Sequence, residues 1–434
     1  MQQRIWTTCI GEHIGERVRL SGWLHHLRQL RHVTFLILRD GKGLTQIVVE
    51  DPTLAEQLAS LYHESVLSVE GLVIANPQAP NGIEIQQPIV EVLNPSTAPP
   101  PFDLFRPTLK AQLPTLLDYA AISLRHPQRR ALFQISAASM EGFRAALRRE
   151  QFVEIQTPKM VASATEGGAN VFAINYFGSP AYLAQSPQFY KQTMVGVFER
   201  VFEVAPVFRA EPHDTPRHLN EYVSLDMEMG FIENHRTVMA MLTCVLQGMV
   251  QTISEQAAEA LKLVKLTLPQ IPAAIPIIHF SEALELIYRE MGEDARHEPD
   301  LSPSHERWLG EWAQRQYQSE FLLVEGYPMV KRPFYTHPDP ARPQYSNSFD
   351  LLFRGLELVT GGQRLHRYDD YLQALQARGL NPEPLSGYLD AFKYGMPPHG
   401  GFAIGLERWV ARLVEAPNIR EVTLFPRDLN RLTP

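Results

Sequence analysis

The chain has 434 residues, too many for one ordinary hydrophobic core, so two or three domains are expected. Hydrophobic residues at 44% and charged residues at 20% exclude a disordered or fibrous chain, and the longest strongly apolar run, Met239 to Val250, is too short and too mixed to span a bilayer. A formal net charge of -8 excludes polyanion binding through bulk charge, so any nucleic acid would have to be held by a local basic patch.

The N-terminus has no charged start followed by an apolar core, so no signal peptide is expected. Cys9 and Cys244 lie far apart and neither has a CxxC partner. Neither a disulfide framework nor a structural zinc site is expected, and a cytoplasmic setting is. From Met1 to Lys42, seven Lys/Arg stand against three acids, a local basic excess in a chain that is acidic overall.

RVRLSGWL, VTFLILRD, LTQIVVE, SVLSVEGLVI and GIEIQQPIVEVL, within 17–92, read as short strands rich in Val, Ile and Leu. Asp40-Gly41-Lys42-Gly43 reads as a hairpin turn using glycines at positive φ, and DPTLAEQLASLY as one inserted helix. Five strands with one helix predict a small barrel of the OB type over 1–98. Asn94 to Pro114 carries six prolines and predicts a semi-rigid linker, placed at 99–126. QRRALFQISAASMEGFRAALRREQF then predicts a long amphipathic helix, opening a second domain over 127–434. Its later strands are half-buried runs with polar residues interspersed, which predicts a largely antiparallel sheet flanked by helices. The fold class is therefore α+β, with a helical insertion expected around 235–315.

Four segments carry chemistry. Phe208-Arg209-Ala210-Glu211 ends one strand and is followed by a loop with Arg217 and His218 and by the strand EYVSLDMEMGF. A guanidinium makes two parallel bonds to phosphate oxygens, and such a loop can fold over outer phosphates. Glu211 is an acceptor for the exocyclic amine of adenine. Gly400 to Arg408, GGFAIGLER, is a glycine-rich strand leading into a helix, where a ligand can approach the backbone. It is neither a G-x-G-x-x-G fingerprint nor a Walker loop. Gln185 to Gln192, QSPQFYKQ, sets two amides and the Lys191 ammonium at the start of a helix. Glu357 to Arg364, ELVTGGQR, joins an acid, a hydroxyl and an arginine around two glycines. Glu357 with Thr360 could ligate Mg²⁺ beside phosphate oxygens. Each segment alone is more often surface or packing chemistry than a site.

Taken together and in order, the segments resemble the three motifs of class II aminoacyl-tRNA synthetases. The long helix followed by FVEIQTP, with Pro158, is similar to motif 1, FRAE with its return strand to motif 2, and GFAIGLER to motif 3. The resemblance covers essentially the whole chain, and the OB-type start places it in the subgroup for aspartate, asparagine and lysine. Within that subgroup QSPQFYKQ and the short length resemble the archaeal-type aspartyl enzymes. Lys191 and Arg364 form a clamp for a side-chain carboxylate, which an amide substrate would leave unpaired.

The resemblance implies ATP as substrate, Mg²⁺, L-aspartate and tRNA as partners, and a homodimer built on the motif 1 helix. It implies that Arg209 holds the α-phosphate, Glu211 reads adenine, and Arg217 and His218 reach the outer phosphates. Tyr222 and Arg408 would sandwich adenine. Gln188, Asp226 and the stretch with Thr165 and Glu166 would surround the substrate amino group, and Lys191 and Arg364 would bind its side chain. Glu357, Thr360 and Glu228 would serve Mg²⁺. Ala403 stands where the family usually has glycine, Thr360 where it has serine, and Tyr222 where it has phenylalanine.

In the barrel, Phe35 is the candidate to stack on an anticodon base, with Arg28 and Gln46 as polar readers. Relatives that reject tRNA-Asn have a tryptophan and a lysine where this chain has His25 and Pro80. That loss implies relaxed reading, with both tRNA-Asp and tRNA-Asn charged and an amidotransferase needed downstream. The competing readings are an asparaginyl-tRNA synthetase, an enzyme confined to tRNA-Asp, and a non-catalytic tRNA-binding paralogue.

Overall fold

The computed structural model describes residues 3–162 and 170–434. The chain divides into two compact units, Met1–His126 and Pro127–Pro434.

In the first unit, β1 (Arg17–Gln29), β2 (Thr34–Arg39), β3 (Leu44–Val49), β4 (Val66–Ala75) and β5 (Ile83–Asn94) close into a barrel in the order β1-β2-β3-β5-β4. Helix α1 (Pro52–Ala59) links β3 to β4, capped by Asp51, whose side chain accepts from the Thr53 amide. Alternate residues of the strands, such as Val18, Leu20, Leu36, Leu38 and Ile47, fill the interior. The turn at Asp40 works differently from its expected form. Neither Gly41 nor Gly43 takes positive φ. The Asp40 carboxylate instead accepts the Lys42 and Gly43 amides at 2.7 and 2.9 Å and the Thr7 amide at 2.7 Å. The proline-rich segment also carries two short helices absent from the sequence reading, α2 (Leu113–Asp118) and α3 (Ala120–Ser123). Pro114 occupies the first turn of α2, where a missing N–H costs nothing.

The second unit begins with α4 (Pro127–Arg149) and β6 (Val153–Glu154). A small three-stranded sheet follows, from β7 (Met160–Val161), β8 (Ala173–Tyr176) and β9 (Ser179–Leu183). Then come α5 (Gln188–Phe198), the hairpin of β10 (Arg200–Phe208) and β11 (Glu221–Gly230), α6 (His235–Gln256) and α7 (Ala258–Val264). After these lie β12 (Ile277–His279), α8 (Phe280–Met291), α9 (Pro303–Tyr317), β13 (Phe321–Glu325), β14 (Ser348–Phe353) and β15 (Leu356–Gln363). The chain closes with α10 (Tyr368–Ala377), α11 (Ser386–Lys393), β16 (His399–Gly405) and α12 (Leu406–Leu413). The main sheet has the order β12-β13-β14-β15-β16-β11-β10-β6. Its interior pairs are antiparallel, and the edge pairs β12–β13 and β10–β6 are parallel.

Period-two alternation gives this sheet a greasy face and a working face. Leu225, Met227, Met229, Val359, Phe402 and Ile404 join the core beneath α4, α6 and α12. Gly142 on α4 and Gly248 on α6 let the two helices touch: a Cβ at Gly142 would lie 2.7 Å from the Met249 Cα. Helix α6 is thus a core layer rather than part of an insertion, and its 22 apolar-rich residues are spent on packing. Trp409 on α12 donates to the Ser139 hydroxyl on α4 at 3.1 Å, tying the last helix to the first.

Candidate active site

The opposite face carries Ser224, Asp226 and Glu228 on β11, Gly401, Ala403 and Gly405 on β16, and Thr360 and Gly362 on β15. Register fixes two rows across these strands. Asp226 faces Ala403, which faces Thr360; Glu228 faces Gly401, which faces Gly362. Small residues on the central strand make a floor on which a ligand can lie.

Above one end of this floor the β10–β11 hairpin opens into its loop. Arg209 lies just past β10, its amide donating to the Asn220 carbonyl at 2.8 Å, and the Asn220 side chain donates to the Arg209 and Glu211 carbonyls at 2.7 and 3.1 Å. The loop is pinned from the far end of the chain. Arg420, buried, donates to the Thr215 carbonyl at 3.1 Å and to Asp214 at 2.9 Å. Its role was invisible in sequence because 205 residues separate it from Thr215.

Arg209, Glu211, Arg217, His218, Tyr222, Glu357, Thr360 and Arg408, eight residues singled out for nucleotide and metal binding, all line one cleft. Arg209 sits over the Tyr222 ring at 5.7 Å and is 3.9 Å from Glu211. His218 lies 3.9 Å from Glu211 and accepts or donates with Thr215 at 2.6 Å. Burial first, then Arg408, lowers its pKa. Gly405 is the floor of a slot: a Cβ there would lie 3.8 Å from the Arg408 side chain and 3.9 Å from the Tyr222 ring. The glycines before it have another purpose. Gly400 and Gly401 are packed against the Gly362 and Met227 carbonyls, not against ligand space.

Glu407, the acid of GLER, was quoted in the sequence but given no role. Both its oxygens accept the Val223 amide, at 3.2 and 3.1 Å, which fixes α12 to β11 beside Tyr222. Burial pushes its pKa up to about 7.

On β15, Thr360 donates to Glu357 at 3.0 Å. Across the β14–β15 pair Asp350 faces Thr360. Burial raises the Asp350 pKa to about 6, Arg332 opposes that, and the Glu357 charge adds to it. Two carboxylates beside a hydroxyl suit a hard divalent cation completed by phosphate oxygens. Among the described residues, no group of three or more His, Cys, Asp or Glu converges as a metal site. Asp350 was missed; its signal is an acid seven residues before Glu357 on an apolar hairpin.

Glu228 is not with them. It is fully buried, its Oε1 accepts from Arg364 Nε at 3.0 Å, and its Oε2 lies 3.4 Å from Lys191 Nζ. The expectation that it serves Mg²⁺ is therefore corrected: the register places it one row deeper than Thr360, among cations. Burial raises its pKa, but Arg364 and Lys191 outweigh that and hold it below the ordinary value.

The same carboxylate joins the two residues predicted to clamp a substrate. Lys191, on the buried face of α5, donates to Asp226 at 2.9 Å, and Asp226 also accepts from Ser224. Arg364 donates to the Gly401 carbonyl at 3.1 Å. The pocket therefore holds two cations and two anions rather than uncompensated positive charge, because unpaired buried charge is too costly to keep. Both oxygens of Asp226 are engaged, so a substrate ammonium there would share them. Gln188 is buried and donates to Gln192 at 3.0 Å. Gln192 in turn meets Tyr371, Tyr388 and His399, a polar network that sequence reading missed. Thr165 and Glu166 lie outside the described residues.

In the barrel, Phe35 is half-buried with the exposed Arg28 stacked over it at 4.7 Å. Gln46 is buried and donates to Glu84 at 3.1 Å. Pro80 is exposed on the β4–β5 connection. His25, grouped with the anticodon-binding positions, is buried. The pairing of β1 with β2 slips between Leu24 and His26, and this irregularity turns Leu24 and His25 inward together. Only 5% of His25 is exposed, and burial, then Arg39, lowers its pKa from 6.5 to about 4. The fold thus favours the neutral ring. Its stabilising contribution is complete above pH 6.5 and is lost as pH falls toward 4. Urea unfolding at pH 5 should show a loss of about 2 kcal/mol relative to pH 7 that a His25→Leu variant lacks. An equal acid slope in both proteins would remove this account.

An antiparallel sheet carrying a nucleotide cleft between an arginine-bearing hairpin and a terminal strand–helix unit, with a separate OB barrel, is the architecture of class II aminoacyl-tRNA synthetases. The chain belongs to the tRNA synthetases class II (D, K and N): that family matches residues 112–429, and the OB-fold nucleic acid binding domain matches residues 18–93. Members use ATP as substrate and Mg²⁺. The chain is similar to the aspartate–tRNA(Asp/Asn) ligase of Thermus thermophilus, 46% identical over 99% of this chain and 100% of the relative. It is also similar to the aspartate–tRNA(Asp) ligase of Thermococcus kodakarensis, 40% identical over 97% of each chain. In fold it matches the asparaginyl-tRNA synthetase of Pyrococcus horikoshii complexed with asparaginyl-adenylate, with a TM-score of 0.92, 30% identity and full coverage of both chains.

Proposed function

We propose that the chain activates L-aspartate with ATP and loads it onto tRNA-Asp and also tRNA-Asn. The observation that carries the choice of amino acid is the joining of Lys191 and Arg364 through Glu228, one row along the sheet from the Ala403 and Thr360 that line the cleft. An ammonium has three donors; Asp226 takes one from Lys191 at 2.9 Å, and Glu228 Oε2 lies 3.4 Å away as an ion-pair partner. A substrate carboxylate completes the coordination of both cations. An amide in its place would turn a donor toward them, a mismatch that a buried polar site rejects strongly.

Arg209 holds the α-phosphate, Glu211 takes the adenine amine, and Tyr222 and Arg408 close on the ring above Gly405. Arg217 and His218 meet the outer phosphates. Gln188 and Asp226, with Thr165 and Glu166, serve the amino group. Glu357 and Thr360, with Asp350 behind them, are the residues suited to Mg²⁺, which supplies charge neutralisation for the outer phosphates. The substrate carboxylate attacks the α-phosphorus in line. No side chain acts as nucleophile, so positioning and electrostatics account for the rate.

The barrel, 1–98, reads the anticodon, with Phe35, Arg28, Gln46 and Pro80 at its face and His25 acting from beneath. Acceptance of tRNA-Asn is supported by His25 and Pro80 standing where bulk and charge would exclude it, and by the similarity to the aspartate–tRNA(Asp/Asn) ligase of Thermus thermophilus. Two copies associate through α4 of the catalytic part, 127–434, with 99–126 as the hinge.

The test is an exchange and charging pair. Pyrophosphate exchange should proceed with aspartate and not with asparagine, and both tRNA transcripts should be aspartylated. Exchange driven by asparagine would overturn the amino acid assignment. An uncharged tRNA-Asn transcript would confine the enzyme to tRNA-Asp.

A further inference from the structure

The nucleotide cleft adjoins a second cavity. Arg217, Arg408 and Ile419 line both, and the second cavity adds Arg307, Arg412 and Glu306. Four guanidinium groups from three separate parts of the chain thus meet around a single carboxylate. That carboxylate is already engaged: Glu306 Oε2 accepts the Glu357 amide at 2.9 Å. Arg412 Nε is buried and has no hydrogen-bond partner.

Arg307 is held in place by backbone, not by chance. The β14–β15 turn presses on α9 so closely that a Cβ at Gly355 would lie 2.8 Å from the Arg307 Cα, and one at Gly310 would lie 2.6 Å from the Gly355 Cα. Glycine at both positions allows α9 to dock against the turn that leads into Glu357. The backbone of a basic residue from outside the three motifs is thereby fixed in the wall of the second cavity.

We propose that this second cavity receives pyrophosphate as it leaves the nucleotide cleft, passing from Arg217 and Arg408 to Arg307 and Arg412. The proposal rests on reading the first cleft as the ATP site. In the activation step, a substrate carboxylate oxygen bonds to the α-phosphorus. The bond from that phosphorus to the α–β bridging oxygen breaks, and its electron pair leaves with pyrophosphate. The adenylate product stays at the inner end with Lys191 and Arg364. The anion must therefore depart at the outer end, where the cavity lies. Charge selects a polyanion, since four guanidinium groups and one already engaged carboxylate line the cavity, and the activation step releases pyrophosphate beside it.

The experiment is pyrophosphate exchange with the full chain carrying Arg307→Glu or Arg307→Lys. Arg307 is exposed, and both variants should melt like the parent. Arg307→Glu should raise the KM for pyrophosphate about tenfold while the KM for ATP moves less than about threefold, and Arg307→Lys should restore most of the loss. Equal changes in both constants, or none in that for pyrophosphate, would overturn the proposal. So would a raised KM for tRNA with pyrophosphate unaffected, which would give the cavity to RNA phosphate. Arg209→Gln separates the two readings. If it retains full exchange, the ATP site itself is misassigned. If it is inactive while Arg307→Glu is silent, only the exit route fails.

Discussion

Replacing Arg364 with glutamine should lower kcat/KM for aspartate by roughly 10³-fold or more while leaving the KM for ATP nearly unchanged. Four charges balance in the pocket: Lys191 and Arg364 against Asp226 and Glu228. Without Arg364, Glu228 keeps one cationic partner, shared with Asp226, and the pocket carries net negative charge before an anionic substrate arrives. Removing one partner of a buried pair costs about 3–5 kcal/mol, so the variant should also be less stable. A second variant separates the two effects. Arg364→Gln combined with Glu228→Gln removes the orphaned carboxylate and should recover much of the stability, yet none of the aspartate activation. Melting curves and pyrophosphate exchange on the three proteins check this. If the single variant activates aspartate at near-parent rates, the clamp does not exist.

Gly401→Ala should be nearly as damaging, although glycine and alanine differ by one methyl group. The new Cβ would overlap the Met227 carbonyl oxygen and the Glu228 carboxylate, and would stand 2.7 Å from the Glu228 Cδ. The Met227 carbonyl is backbone within the β11–β16 pairing, so no rotamer relieves the clash. Either the strands part or Glu228 leaves its two cations. Overpacking of this kind costs about 1–3 kcal/mol and here adds the disruption of a buried ion cluster. A fall of about 10²-fold or more in aspartate activation is expected, with a lowered melting temperature. Normal activity would show that Glu228 can move without consequence, contrary to its pairing. Two positions along, Ala403 already bears the methyl that the family usually lacks, and it lies half-buried in the cleft floor without such a conflict.

This contrast marks where the sequence stops being informative. GGFAIGLER is legible as a glycine-rich strand entering a helix, but glycine spacing does not say what each hydrogen atom faces. Gly405 leaves open space beside Tyr222 and Arg408, whereas Gly401 makes room for the protein's own carboxylate. Asp226 and Glu228 look alike on one strand, and both were assigned to the substrate or its metal. Register places them in different rows, and cations from α5 and the end of β15 then claim them. His25 was singled out only by its place relative to tRNA-Asn-rejecting relatives, which says nothing of its burial. The slip beside it breaks the alternation.

The sequence by itself determined the barrel with its inserted helix, the amphipathic α4 and the antiparallel sheet, which follow from local periodicity and proline placement acting over a few positions. The cleft residues from Arg209 to Arg408 were singled out only by their resemblance, in order, to the class II motifs. Only the tertiary structure decided that Lys191 and Arg364 share Glu228, that Arg420 pins the loop at Thr215, that α6 is core, and that Asp350 joins Glu357. Each of these depends on strand register or on contacts between residues far apart in the chain. Buried charge must be neutralised by whatever the fold brings near, and no pattern along the chain specifies that neighbour.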